Sequence, residues 1–282
     1  MQIRKIKKIM KAKPVIEGAG VRLKRVFGHS EVPEFDPFLL MDDFHSDKPE
    51  DYMAGFPMHP HRGIETITYL LQGAVAHQDS MGNRGRIEAG DIQWMTAGHG
   101  IIHEEMPEES KPALWGFQLW ANLPATHKMM PPRYQNIKAT EVPEFVPEAG
   151  VSIKVICGEL ADVRGPVQEI VTEPEYLDIR IGVEKVFEHP VKVGHTVFAY
   201  VIEGEVAFAE DAEKHVSETL VLFDSGDAIR VKTGANPARF LLISGKPIGE
   251  PVAWRGPIVM NTQAELDTAL KAYQNGTFIE QV

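Results

Sequence analysis

Apolar and polar positions alternate in short runs along most of the chain, and the period is two. TITYLLQ, AVAHQDS, DIQWMT, GFQLWANL, SIKVICG, YLDIRIGV, TVFAYVIEG, ETLVLFD, AIRVKT and RFLLISG are rich in Val, Ile, Leu, Phe and Thr, and most are bounded by Gly, Pro, Asp or Asn. Residues i and i+2 of an extended run share a face, so each run predicts a strand. Many short strands with turn residues between them predict sandwiches or barrels. The period lengthens once, late in the chain, in NTQAELDTALKAYQNG. There Thr262 can cap a helix, Glu265 can close the capping box, Leu266, Leu270 and Tyr273 share a face, and Gly276 can stop it.

Residues 124–150, PATHKMMPPRYQNIKATEVPEFVPEAG, are proline-rich and weakly periodic, as connections between domains are. A boundary is placed there, giving domains 1–135 and 136–282, and a linker that packs across both halves is equally allowed. The halves resemble each other. Gly73 meets Gly204 at a shift of 131, and Gly90-Asp91 meets Gly226-Asp227 at a shift of 136. A duplicated β-barrel is the economical reading.

Composition narrows the function. Twenty-nine Lys+Arg against 40 Asp+Glu give a formal charge of −11, which disfavours direct contact with a nucleic-acid backbone and suits small-molecule or protein partners. Cys157 is the one cysteine, so neither an intrachain disulfide nor a thiolate cluster is possible. No apolar run reaches the roughly 18–20 residues of a membrane span. The N-terminal MQIRKIKKIMKAKP lacks the apolar core of a signal peptide and reads as a first strand with solvated lysines. A cytoplasmic protein with no membrane partner is expected.

The chemistry gathers in MHPHRG. His59 and His61 are two residues apart and can point the same way, with Pro60 restricting the residue before it to extended backbone. HGIIHEEM supplies His103 and Glu105 at the same spacing. Three imidazoles and a carboxylate make a sulfur-free site that suits Fe, Mn, Cu or Ni better than a closed structural zinc site. At the repeat shifts these four positions fall on Pro190, Lys192, Arg239 and Leu241, so the metal is expected in the first half only.

These stretches, with DPFLLMDDF, GFPMHPHRGIETITYLLQGAVAHQDSMGN, AGDIQWMTAGHGIIHEEMP, WGFQLWANLP and IVMNTQAEL, resemble the pirin family of bicupins. The resemblance implies an all-β chain of two tandem cupin (jelly-roll-type) barrels with a short C-terminal helix. It implies one divalent transition metal per chain, iron(II) first and Mn, Cu, Ni or Zn as alternatives, on His59, His61, His103 and Glu105. The wider cupin pattern would take its carboxylate from Glu65 instead. The implied activity is a quercetin 2,3-dioxygenase type of reaction on a flavonol and O2, with Glu105 taking the substrate's proton. The alternative is a redox-responsive regulator acting through protein partners.

Other candidates have plainer readings. His99, between glycines, reads as a turn or rim residue, and His77 as a satisfied strand histidine. Glu104 should be solvated. Arg62 could meet an anionic substrate or an acid, and Gln118 could reach the metal pocket. Cys157 reads as a small buried residue. GxSxG, GxxxxGK and GxGxxG are absent.

Overall fold

The computed structural model describes residues 1–209 and 213–279. The chain forms two compact units, and neither is continuous. One consists of Met1–Ala12 with Thr140–Pro247, the other of Lys13–Ala139 with Ile248–Val282. The expected boundary at 135/136 lies close to one of these crossings. The difference lies at the ends of the chain. The first strand, Ile6–Lys11, pairs with Thr219–Phe223, while the C-terminal hairpin and helix belong to the unit that starts at Lys13.

The Lys13 unit holds a seven-stranded sheet in the order Arg133–Ile137, Ile92–Thr96, Ile64–Gln72, Leu114–Asn122, Phe38–Ser46, Val21–Phe27, Lys13–Glu17. A four-stranded sheet, Phe56–His61, Ile101–Pro107, Ala74–Asp79, Arg84–Glu88, completes the barrel. The other unit repeats this plan. Ile6–Lys11, Thr219–Phe223, Thr196–Phe208, Ala238–Gly245, Glu175–Ile181, Val151–Cys157 and Glu144–Glu148 run side by side, and Val186–Pro190 pairs with Ala228–Lys232. The pairings within both sets are antiparallel. Both units are therefore jelly-roll-type β-barrels, as expected.

The barrels differ inside. Ile153, Val155, Ile179, Val201, Phe240 and Leu242 belong to one continuous apolar core that fills the Thr140–Pro247 barrel, with Phe208 edge-on to Phe223 and Phe240. The Lys13 unit contains three smaller apolar clusters. A cavity opens within the same unit.

Pairing register also corrects the alignment of the halves. His59 faces His103 across its ladder, and His189 faces Ile229 across the equivalent one. Ladder positions then match His59 with His189, His61 with Val191, His103 with Ile229 and Glu105 with Val231. Pro190, Lys192, Arg239 and Leu241 are not the counterparts, because the Gly226-Asp227 turn precedes the counterpart of the His103 strand, one strand later than the Gly90-Asp91 turn. Three counterparts are aliphatic. His189 survives, with Nε2 bonded to Glu175 at 2.9 Å.

The helix Gln263–Gln274 forms as expected. Thr262 Oγ1 accepts from the Glu265 amide, Glu265 caps in return, and Leu266 and Ala269 are buried. Gly276 follows with φ +71°. No helix among the described residues is long and apolar enough to cross a membrane.

Candidate metal centre

Phe56–His61 is an edge strand, and its sequence suits an edge. Pro57 and Pro60 have no N–H to offer a ladder, so they are tolerated where one side is unpaired. Gly63 ends the segment at φ +76°, where a Cβ would lie 2.0 Å from the Val259 carbonyl oxygen. The HPHRG spacing thus places two imidazoles on an extended edge and turns the chain sharply behind them.

His59, His61 and His103 come together, with one ring nitrogen from each lying within 4.8 Å of the others. His59 Nδ1 donates to the Pro57 carbonyl at 2.9 Å, which leaves its Nε2 unprotonated when the ring is neutral. That Nε2 lies 3.0 Å from His61 Nε2. Neither His103 nitrogen has a hydrogen-bond partner, although the residue is 1% exposed. Buried polar atoms rarely stay unpaired. A cation would satisfy one of the two, and neutral imidazoles are the form that binds it.

The electrostatics favour that form. Burial pushes His59 below its ordinary value, opposed by the Pro57 carbonyl. His61 falls well below its own through burial and then His103 and His59, while the Pro257 carbonyl works the other way. His103 falls well below through burial, His59 and His77. Glu105 is buried too, and burial pushes its carboxyl up to about 7 against a hydrogen bond from Thr68.

The site opens on a cavity of about 640 Å³ within the Lys13 unit. Its walls include Leu40, Phe44, Val75, Leu114, Trp120 and Trp254, and its polar points include Glu105, Thr68 and Gln118. Thr68 Oγ1 lies 3.2 Å from Glu105 Oε1 and 2.7 Å from Gln118 Oε1. Glu105 shares the cavity with His59 and His61, but the grouped nitrogens are those of the three histidines. Glu65 is bonded by Thr96 at 2.7 Å and lies on the opposite face of its strand from Thr68.

Of the other candidates, Gln118 does reach the cavity, on the same face as Trp120. His77 is a buried strand histidine 2.9 Å from Gln93 Nε2. His99 sits in the turn outside the imidazole group. Glu104 accepts from Gln78, and Cys157 is buried with its thiol on the Val167 carbonyl. Arg62 is buried behind the histidines. It donates to the Phe278 carbonyl at 2.7 Å and lies 4.1 Å over that ring. Sequence reasoning missed Trp254, Pro257 and Lys128, whose roles depend on contacts far along the chain.

The sequence profile described as Pirin matches residues 20–121, and that of the Pirin C-terminal cupin domain matches residues 176–279. A pirin-like protein of Caulobacter vibrioides is 44% identical over 279 residues, 99% of this chain and 100% of that protein. Pirin of Homo sapiens is 42% identical, over 92% of this chain and 88% of that protein. A crystal structure of quercetin 2,3-dioxygenase from Acinetobacter baumannii matches with a TM-score of 0.89 at 32% identity, covering 98% of each chain.

Proposed function

The chain belongs to the pirin family, and from that premise we propose that it is an iron-dependent dioxygenase of flavonols. The observation that carries the reading is a group of three imidazoles, two of which, His59 and His61, line a largely apolar cavity. At about 640 Å³ the cavity is within the range of small-molecule sites. His59, His61 and His103 would hold the metal with Glu105 as fourth ligand. When bound, the metal supplies Lewis acidity toward the substrate hydroxyl and redox chemistry toward O2.

The chain's own residues supply the rest. Phe44, Leu40, Val75 and Leu114 offer flat apolar walls that hold aromatic rings and exclude water. Glu105 accepts the proton of the flavonol 3-hydroxyl. Thr68 and Gln118 steady that carboxylate and give the substrate's oxygens hydrogen-bonding partners. In the overall reaction the flavonol takes up both atoms of O2 and loses one ring carbon as carbon monoxide.

Aerobic incubation of iron-loaded protein with quercetin tests this, following flavonol absorbance and carbon monoxide together. Loss of absorbance with stoichiometric carbon monoxide is expected. Fully metal-loaded protein without turnover would overturn the dioxygenase reading in favour of a metal-responsive regulator of protein partners.

A further inference from the structure

The metal cavity is finished by a distant segment of its own unit. The strand carrying His61 runs into Arg62 and Gly63, and both are tied to the hairpin formed by Ala253–Arg255 and Ile258–Met260. The Val259 amide donates to the Arg62 carbonyl at 3.1 Å, and Arg62 bridges to Ile258. Lys128 closes the junction. It is 1% exposed, and its ammonium donates to the Gly63 carbonyl at 2.9 Å, Asn122 Oδ1 at 2.6 Å and the Val259 carbonyl at 3.1 Å.

Three N–H bonds meet three oxygens, and none of the three belongs to a carboxylate. A fully buried lysine without an ion partner is rare and costly. What it joins suggests why it is there. From this junction the hairpin reaches the metal cavity, where Trp254 and Pro257 form part of the wall. The Trp254 ring lies 6.0 Å from Trp120, and Trp120 meets the His61 ring edge-on at 5.2 Å. The Pro257 carbonyl stands beside the same imidazole.

We propose that Lys128 is a positioning residue for the metal centre, holding Gly63 to Val259 and so fixing the hairpin against His61. This rests on the reading that the imidazole triad binds a metal ion. The role belongs to geometry rather than to chemistry, since Lys128 touches none of the three histidines directly. It acts through the backbone that follows His61 and through the hairpin paired with it.

Divalent cobalt is a suitable probe, with its visible absorption and its affinity by competition measured on wild type and Lys128→Met. The variant should bind cobalt about 10- to 100-fold more weakly, the usual cost of losing an outer support of a metal site, and with a changed absorption band. A lysine that merely stabilises the fold would lower the unfolding midpoint and leave cobalt affinity and spectrum untouched, which would overturn the proposal. A wild-type chain that takes up no cobalt would overturn the metal reading itself. If Lys128→Met does not fold, reciprocity supplies a test on the wild type. Zinc loading should slow amide exchange at Val259 about tenfold or more, and unchanged exchange there would overturn the role.

Discussion

Lys128→Met also separates the cost of a buried charge from the value of its hydrogen bonds. Burial pushes the ammonium from 10.5 down to about 7, with Glu250 and Glu265 acting in the opposite direction. In the unfolded chain the group keeps its ordinary value. Between pH 7 and 10.5 the unfolded chain therefore binds more protons than the folded one, so stability rises with pH across that window. Below pH 7 both states carry the charge and this dependence ends. At about 1.4 kcal/mol per pH unit, the rise from pH 7 to 9 is at most about 3 kcal/mol. The three hydrogen bonds hold the ammonium form and reduce it, so about 1–2 kcal/mol is expected.

Methionine has no charge, and every other titrating group is common to both proteins. The variant also strands the oxygens of Gly63, Asn122 and Val259, at about 1–3 kcal/mol for each buried acceptor left unpaired. The stability gap between wild type and variant should thus widen between pH 7 and pH 9. Urea unfolding of metal-free protein at both pH values measures it. A gap that stays constant or narrows with rising pH would refute the argument.

Three further outcomes follow from the site. His103→Ala should strip the metal, because it removes one of three grouped imidazoles, whereas His99→Ala should keep near-full occupancy; elemental analysis of both decides it. One metal ion per chain is expected, since the second barrel offers His189, Val191, Ile229 and Val231 at the corresponding positions, and two tightly held ions would contradict this. Glu105→Gln should weaken metal binding and abolish flavonol oxidation, while Glu65→Gln, altered on the opposite strand face, should leave the metal bound. The reverse pattern of metal content and turnover would return the site to Glu65.

The strands and the helix were legible because alternation and capping are local. The imidazole triad was legible for the same reason, since the HxH spacing survives into an extended strand and His103 lies directly opposite His59. Register between the halves was harder. Gly-Asp turns at 90–91 and 226–227 look alike but precede different strands, and only the pairing reveals that Ile229 stands where His103 does. The exchange of the chain's ends left no local mark, because a strand pattern does not say which edge it joins. Lys128 sits in a proline-rich connection that carries no local sign of burial, yet two distant carbonyls, of Gly63 and Val259, and the nearby Asn122 side chain hold it.

Discontinuity imposes an order in time. A ribosome delivers His59, His61 and His103 early, then the whole of Thr140–Pro247, and only afterwards Trp254 and Pro257. Throughout that interval the nascent barrel has its three imidazoles but lacks one wall, and Lys128 has only two of its three acceptors. The other unit waits as well, since Ile6–Lys11 is made first and its partner Thr219–Phe223 comes more than 200 residues later. Such long separations slow folding, because the cost of closing the loop comes before the contact forms. The metal pocket therefore passes through an open-flanked stage during synthesis, when an ion can reach the imidazoles without crossing the finished cavity.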